Sequence, residues 1–312
     1  MIGKEQLQVK SSNGVNDLFV MIWRKRDEDY KGVVQISHGM IEHIGRYEET
    51  AAYLAEKGYI VVGHDHLGHG KTVVSEEELG YFPGEQPSRL LVEDLHLITL
   101  EMKKRFPKLP FFLLGHSMGS LLARRYIMTY GNELDGVLIL GTGRINWFVL
   151  RFGKLFVKFL TWIKGETYHS PVIEYILFGA YNNRFSEERF GKDWLTKDEK
   201  VKEAYLSDEK CQFTFSLNGI RMLIDTMDFI QKKEHMKKIP LALPIIFMAG
   251  TEDPFGEYGR GVNGIYEAYQ KLGLTDVKIQ MYDNDRHEIL NETDREDVYE
   301  NIVKWLNCHS RK

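Results

Sequence analysis

Gly115-His116-Ser117-Met118-Gly119 is a G-x-S-x-G pentapeptide that lies between an apolar run at residues 110–114 and a helical pattern at 121–127. A serine at such a strand-to-helix turn is typical of a nucleophile elbow, in which a strained backbone exposes the hydroxyl at the carboxyl end of a sheet. The two glycines suit this turn, because a Cβ at either position would collide with the neighbouring strand or helix. An ordinary strand-to-helix turn is the alternative, since short motifs recur by chance.

Partners for this serine follow it in the order that the motif requires, which is an acid and then a histidine. Asp253 comes just after an apolar run at 243–249, and His287 comes just after an alternating run at 277–282. Each of the three residues therefore follows a predicted strand. We expect Ser117 to be a nucleophile, His287 its base and Asp253 the group that orients the base.

Other residues compete for two of these roles. Glu252 is an alternative acid, but Asp253 has the shorter side chain and precedes a proline, which stiffens its reach. Asp283 and Asp285 are more typical of turn formers. A lone histidine in a loop is usually solvated, which is the alternative for His287. Chain order disfavours as bases the histidines that precede or adjoin the serine, which are His38, His43, His64, His66, His69 and His116.

The expected chemistry also needs two N–H donors for a developing oxyanion. One donor should be the backbone N–H of Met118, directly after the nucleophile, and the other should come from the loop after an earlier strand. That loop is His38-Gly39-Met40, so we expect the N–H of Met40 to be the second donor and the side chain of His38 to brace the loop. Each donor stabilises the transition state by about 3 kcal/mol.

These residues together resemble the α/β-hydrolase superfamily, and within it the monoacylglycerol lipase and lysophospholipase branch. The branch carries an H-G-x-x-E-H stretch followed by G-R-Y, a D-x-x-G-H-G turn and a G-H-S-M-G-G elbow, and these correspond here to 38–43, 45–47, 65–70 and 115–120. The histidine loop resembles 286–292. This sequence departs from the pattern at Ser120, which replaces a glycine, and at Lys71, where a serine is usual.

The resemblance implies a serine hydrolase of carboxylic esters that acts on monoacylglycerol or lysophospholipid-type single-chain lipid esters, with no cofactor and no metal. Two alternatives stay open. The first is other acyl-transfer chemistry on the same fold, as in a general carboxylesterase, thioesterase, peptidase or acyltransferase. The second is a lipid-binding protein without catalysis. A dehalogenase or epoxide hydrolase would need an aspartate in place of Ser117.

The order of predicted elements indicates an α/β fold with a mostly parallel central sheet flanked by helices. A hairpin at 5–25, turning at Ser12-Asn-Gly14, precedes the alternation. The pattern breaks at Arg144 and resumes near Pro244, which predicts a core of 1–143 and 239–312 with a helical cap inserted at 144–238. The predicted strands are 33–38, 59–65, 110–116, 135–141, 243–249 and 277–282, and the predicted helices 46–57, 88–105, 118–130 and 296–307.

Residues 145–163 form the most apolar helical stretch of this insertion. The predicted helix places Phe148, Phe152, Leu155 and Phe159 on one face and Arg151, Lys154 and Lys158 on the opposite one. The aromatic face is expected to line an acyl-chain pocket, or to lie in a lipid interface as a peripheral membrane contact. The alternative is a cap helix that packs its apolar face on the core, with solvated basic residues.

The composition and two further motifs disfavour several other classes of function. The 312 residues carry a net charge of −4, which gives no general attraction to nucleic acid. Cys211 and Cys308 provide neither a disulfide framework nor a zinc site. We see no signal peptide and no apolar run of 18 residues, and therefore expect a cytoplasmic enzyme. The histidines of 64–69 lack the aspartate spacing of a metallohydrolase, and the G-x-G-x-x-G at 259–264 does not directly follow a strand, which disfavours dinucleotide binding.

Overall fold

A single eight-stranded sheet organises the computed structural model, which describes residues 1–26, 29–185 and 191–310. The strands lie in the order β1-β2-β4-β3-β5-β6-β7-β8. The first two form the expected antiparallel hairpin, and β2 pairs antiparallel with β4, whereas all later pairs are parallel. The strands are β1 Ile2–Lys10, β2 Asp17–Lys25, β3 Gly32–Ser37, β4 Tyr59–His64, β5 Phe111–His116, β6 Gly136–Leu140, β7 Ile245–Gly250 and β8 Val277–Tyr282.

Helices cover both faces of the sheet, which explains why β3 to β7 are buried along their whole length. Apolar side chains of α1 and α10 pack on one face, and those of α2, α3 and α9 pack on the other. The helices are α1 Glu48–Glu56, α2 Pro87–Arg105, α3 Met118–Tyr130, α4 Trp147–Lys164, α5 Pro171–Phe178, α6 Glu199–Ser207, α7 Leu217–Ile230, α8 Lys233–Met236, α9 Arg260–Lys271 and α10 Arg295–His309.

The expected mostly parallel sheet flanked by helices is confirmed, and the predicted strands and helices agree with the observed ones to within a few residues. Helix α9 was not predicted. It begins at Arg260, inside the G-x-G-x-x-G stretch, whose glycines obscured a helical spacing of buried residues at Val262, Ile265 and Tyr269. This stretch therefore opens an ordinary helix that packs on the sheet.

The insertion between β6 and β7 contains α4 to α8. Within its described residues, β pairing is limited to an isolated bridge between His169 and Ser216. Helix α7 packs against α3 and α2 of the core and also against α4. Of the residues that the structure describes, none lies in a helix with both the length and the apolar character needed to cross a bilayer. The elements of the insertion thus lie next to the carboxyl end of β5, where the elbow is placed.

Candidate active site

Ser117 occupies a strained turn between β5 and α3. Its backbone has φ 52° and ψ −120°, and residues other than glycine rarely adopt such a positive φ. The turn is close to its neighbours, because a Cβ at Gly119 would collide with the carbonyl oxygen of Ser37 at the end of β3. The geometry is that of the expected elbow, and strain of this kind is characteristic of functional positions.

A chain of two hydrogen bonds joins the three residues that the sequence pointed to. Nε2 of His287 lies 2.7 Å from Oγ of Ser117, and Nδ1 of His287 lies 3.0 Å from Oδ2 of Asp253. A carboxylate accepts only, so Nδ1 carries the proton and Nε2 is free to accept from the serine hydroxyl. Both Asp253 and His287 are buried, which fixes the imidazole in this orientation.

The acid that reaches the imidazole is Asp253 and not Glu252. The turn after β7 fixes Asp253, whose Oδ1 accepts from the N–H of Phe255 at 2.9 Å. The side chain of Glu252 instead lies 3.8 Å from the guanidinium of Arg184, at the surface. Two adjacent residues past a strand point in different directions, so only one of them can reach a given group on the next loop.

The two predicted oxyanion donors belong to residues that line the same pocket as Ser117 and His287. Met118 is the first residue of α3, and its N–H is one of the four at a helix start that have no partner within the helix. Met40 follows Gly39, where a Cβ would lie 3.1 Å from the Cβ of Ser117. The loop after β3 therefore lies against the serine, on which the predicted second donor would have to act.

A buried group of charges lies behind the elbow. Glu42 and Glu288 both bind the guanidinium of Arg46, with oxygen-to-nitrogen distances of 2.7 Å. Oε1 of Glu42 also accepts from the N–H of Gly39, so the network holds the predicted oxyanion loop. Burial raises the pKa of Glu288, but the charge and hydrogen bond of Arg46 outweigh burial and lower that pKa overall. The H-G-x-x-E-H motif contained Glu42, but nothing in the sequence connected it with Glu288.

A short segment of the insertion, residues 193–197, binds the loop that carries His287. The N–H of His287 donates to the carbonyl of Trp194 at 3.3 Å, and the N–H of Glu288 donates to that of Leu195 at 2.7 Å. The buried carboxylate of Glu292 accepts from the N–H groups of Arg286 and Lys197 at 2.7 and 2.9 Å. Sequence reasoning missed this segment, since its residues match no motif and precede the histidine by about ninety positions.

One pocket contains the serine, the histidine and both predicted donors, and its empty volume is about 1020 Å³ including its open mouth. Most of its wall is apolar and comes from α3, α5 and α7, from the loops after β3, β6 and β7, and from the 193–197 segment. Such a pocket suits a long apolar group whose reactive end lies at the serine. The apolar lining consists of Met40, Ile41, Met118, Leu121, Ile145, Leu177, Phe178, Trp194, Leu195, Ile220, Leu223, Ile224, Met227 and Phe255.

The expectation that Phe148, Phe152, Leu155 and Phe159 line the acyl pocket is wrong. All four are between 54% and 68% exposed, and none of them belongs to the pocket wall. Helix α4 is apolar around most of its circumference, so its sequence offered two apolar faces. The face that packs contains Leu150 and Val157, and between them Lys154 reaches Asp225 of α7 at 2.8 Å.

Four buried histidines, which are His38, His64, His66 and His69, lie in or near the predicted oxyanion loop. His38 donates from Nδ1 to the carbonyl of Gly39 at 2.8 Å and accepts at Nε2 from the N–H of His66 at 2.9 Å, which confirms that it braces the loop. Burial lowers the pKa values of His38, His64 and His69 to about 3. These imidazoles are therefore neutral packing groups.

Among the described residues, potential metal-ligating atoms come together at His43, Asp208 and Cys211. Nε2 of His43 lies 2.7 Å from Oδ2 of Asp208, while its Nδ1 accepts from the N–H of Gly45 at 3.2 Å. A histidine that binds a metal normally donates its second N–H to an acceptor. Here the second nitrogen faces a donor, so the cluster fits a hydrogen bond between the core and the insertion rather than a metal.

Comparison with known proteins agrees with this geometry. Residues 28–294 match the model of the Hydrolase_4 family, described as serine aminopeptidase, S33. Monoacylglycerol lipase of Mycolicibacterium smegmatis is 25% identical over 289 residues, which cover 91% of this chain and 90% of the relative. Human monoglyceride lipase is 39% identical over 113 residues, 34% of this chain and 33% of the relative.

Solved structures show the same architecture. A highly thermostable carboxyl esterase from Bacillus coagulans, solved in complex with glycerol, superimposes with a TM-score of 0.92 at 28% identity, and the match covers 99% of both chains. The resemblance that the motifs suggested thus extends over the whole sheet and its helices. The chain has the α/β-hydrolase fold and belongs to the Hydrolase_4 family of hydrolases.

Proposed function

We propose that this protein is a serine hydrolase that cleaves carboxylic esters of single acyl chains, of the monoacylglycerol or lysophospholipid type. The observation that supports the proposal best is the hydrogen-bonded series Ser117, His287 and Asp253 at one end of an apolar pocket. A nucleophile, its base and an orienting acid in this arrangement are the parts that acyl transfer requires. The apolar wall favours a substrate with a hydrocarbon chain.

The proposed reaction proceeds in two halves. Oγ of Ser117 attacks the ester carbonyl, and Nε2 of His287 takes the serine proton. The negative oxygen of the tetrahedral intermediate accepts from the N–H groups of Met40 and Met118. His287 then gives its proton to the leaving alcohol, which leaves an acyl group on the serine. Water, deprotonated by His287, cleaves this acyl-enzyme, and Asp253 stabilises the imidazolium in both halves.

Esters fit the pocket better than peptides with a free amino end. An aminopeptidase needs a carboxylate that is free to receive the substrate ammonium group, and the carboxylates in the pocket wall belong to Glu42 and Glu288. Both of them already bind Arg46. The names of the relatives support the same choice, because monoacylglycerol lipases act on esters of one acyl chain.

We further propose that helix α4 rests on a lipid surface while substrate enters. Its exposed aromatic stripe includes Phe148, Phe152, Phe159 and Trp162, and exposed basic residues such as Lys158 accompany it. An amphipathic helix with aromatic and basic residues is typical of proteins that bind at the interface of a bilayer. The next helix, α5, contributes Leu177 and Phe178 to the pocket wall. We therefore take 144–238 as a cap that connects the membrane to the active site.

A substrate panel tests the proposal against its rivals. Purified protein is given monoacylglycerols, lysophospholipids, short p-nitrophenyl esters, acyl thioesters and aminoacyl amides, and release of each product is measured. We expect the single-chain lipid esters to give the highest kcat/KM and the short esters to turn over more slowly. Preference for thioesters or amides would reject the ester assignment. Lipid binding without turnover, and without labelling by a fluorophosphonate probe, would indicate a binding protein.

A further inference from the structure

His116, the second residue of the elbow, lies between the nucleophile and the buried charges. Its ring is buried, and the centre of the ring is 5.0 Å from that of His287. Nδ1 of His116 lies 3.1 Å from the hydroxyl of Tyr47, and Nε2 lies 3.2 Å from the backbone carbonyl of His287. Both ring nitrogens thus have a partner, and the identity of these partners determines how many protons the ring carries.

The protons can be assigned from the partners alone. The hydroxyl of Tyr47 lies 2.8 Å from Oε1 of Glu42. Glu42 also receives the N–H of Gly39 and the guanidinium of Arg46, so it is an acceptor surrounded by donors. Tyr47 has one hydroxyl proton, which this carboxylate takes, and the Tyr47 oxygen must then accept from Nδ1–H of His116. If Nδ1 carried no proton, the single hydroxyl proton of Tyr47 could serve only one of its contacts with Glu42 and His116, and the other would not be a hydrogen bond.

The other nitrogen is assigned in the same way. A backbone carbonyl oxygen only accepts, so the contact with His287 requires Nε2–H on His116. A ring with protons on both nitrogens is an imidazolium cation. The hydrogen-bond pattern thus predicts a positive charge at a buried position next to the nucleophile.

The buried charges that lie nearest to His116 agree with this assignment. Glu42 lies on the loop after β3, Arg46 and Tyr47 lie on the turn before α1, and Glu288 lies on the loop after β8. Two carboxylates and one guanidinium leave one negative charge, which a cationic His116 balances. Burial alone lowers the pKa of His116, but the hydrogen bond and the charge of Glu42 outweigh burial and raise that pKa overall.

We propose that His116 is a positioning residue that stays an imidazolium at neutral pH and holds the backbone of the base His287 through Nε2–H. Its meaning for catalysis rests on the proposed function of the Ser117 site. A fixed cation 5.0 Å from the ring of His287 disfavours a second positive charge there.

Nuclear magnetic resonance tests the charge without any need for turnover. Protein labelled with ¹⁵N-histidine is titrated from pH 5 to 9, and the resonances of His116 are assigned by their loss in His116→Gln. We expect both ring nitrogens of His116 to remain protonated at pH 7 to 8. A neutral His116 at pH 7, with one nitrogen unprotonated, would overturn the proposal.

Variants then test the role of the charge. His116→Gln keeps an N–H donor for the carbonyl of His287 but removes the charge. We expect the acid limb of its profile of kcat/KM against pH to move to higher pH. Activity at pH 6 relative to pH 8 should fall about tenfold. His116→Leu removes the donor as well, so kcat should also fall in the pH range where activity does not change with pH. The control is His96→Gln on α2, outside the pocket, whose profile should match that of the wild type.

The two proposals fail in different ways. A His116→Gln profile that superimposes on the wild-type profile would reject the role of the charge. A protein that turns over no ester while the nuclear magnetic resonance signals show a doubly protonated His116 would reject ester hydrolysis and support the charge. If His116→Gln does not fold, the ring resonances of His116 are assigned by correlation to its backbone resonances in the wild-type protein, and the same titration decides whether the cation exists.

Discussion

The backbone N–H of His287 donates to the carbonyl oxygen of Trp194 at 3.3 Å, and the two rings are 4.9 Å apart. The base of the proposed triad is thus bound on one side by the core acid Asp253 and on the other by a residue of the insertion. Movement of the 193–197 segment would displace the imidazole from Ser117. The contact between the two residues therefore predicts that the 193–197 segment stays in place during turnover.

Replacement of Trp194 by alanine should slow the reaction of Ser117 with an acylating or phosphonylating reagent, because the ring that packs on the imidazole is lost. A displacement of about 1 Å at a catalytic group costs about 10²-fold in rate, so we expect a loss of about 10- to 100-fold. The measurement is the rate of labelling by a small fluorophosphonate, which does not fill the acyl pocket. The matched control is Trp162→Ala, since Trp162 is exposed on α4. Equal labelling rates for the two variants would contradict this role of Trp194.

Removal of the nucleophile gives the most direct prediction. Ser117→Ala should reduce ester turnover about 10⁶-fold, the magnitude for loss of a triad nucleophile, while substrate binding is retained. Turnover of a p-nitrophenyl ester and fluorophosphonate labelling are both measured, with Ser207→Ala, an exposed serine on α6, as the control. Substantial turnover in Ser117→Ala would show that another residue attacks the ester.

Much of the fold and the proposed triad could be predicted because their signals are local. The strands from β3 to β7 are short apolar runs, and Ser117, Asp253 and His287 each come just after a strand. Parallel strands bring their carboxyl ends to one edge of the sheet, so three residues that are distant in sequence must approach one another there. The order of acid and histidine then assigned the candidate roles without knowledge of any distance.

Contacts made by side chains across the fold could not be predicted in this way. Arg46 and Glu288 are 242 positions apart in the sequence. Nothing in the sequence around Glu288 indicates that its carboxylate binds an arginine. Helix α4 shows the same limit, because its apolar residues surround most of the helix. The periodicity could not decide whether the Phe152 stripe or the Leu150 side faces the protein, since that depends on where α7 lies.

The exposed stripe of α4 leads to a prediction about lipid surfaces. The double variant Phe152→Ser, Leu155→Ser should bind vesicles at least tenfold more weakly, because burial of each large apolar side chain contributes about 1.5–3 kcal/mol. Activity on monoacylglycerol in vesicles should fall accordingly, whereas activity on a soluble short ester should not change. The control is Leu100→Ser, an exposed leucine of α2. Vesicle binding of the double variant equal to that of the control would reject α4 as the contact.

The buried histidines predict that the protein loses stability in mild acid. Burial lowers the pKa values of His38, His64 and His69 from 6.5 to about 3, so the unfolded chain takes up protons below pH 6.5 that the folded protein refuses. Their contribution to stability is complete above pH 6.5 and is lost as the pH falls toward 3. The free energy of unfolding should fall by up to about 1.4 kcal/mol per pH unit for each histidine.

His64 allows this prediction to be tested with one substitution. Neither of its ring nitrogens has a hydrogen-bond partner in the described structure, so His64→Leu removes two buried unsatisfied groups as well as the titration. We expect the variant to be at least as stable as the wild type at pH 8 and to lose less stability between pH 8 and pH 5 in urea unfolding. His169→Gln, at an exposed histidine, should lose as much as the wild type. An equal loss in His64→Leu would show that the folded protein accepts a proton at His64 above pH 5.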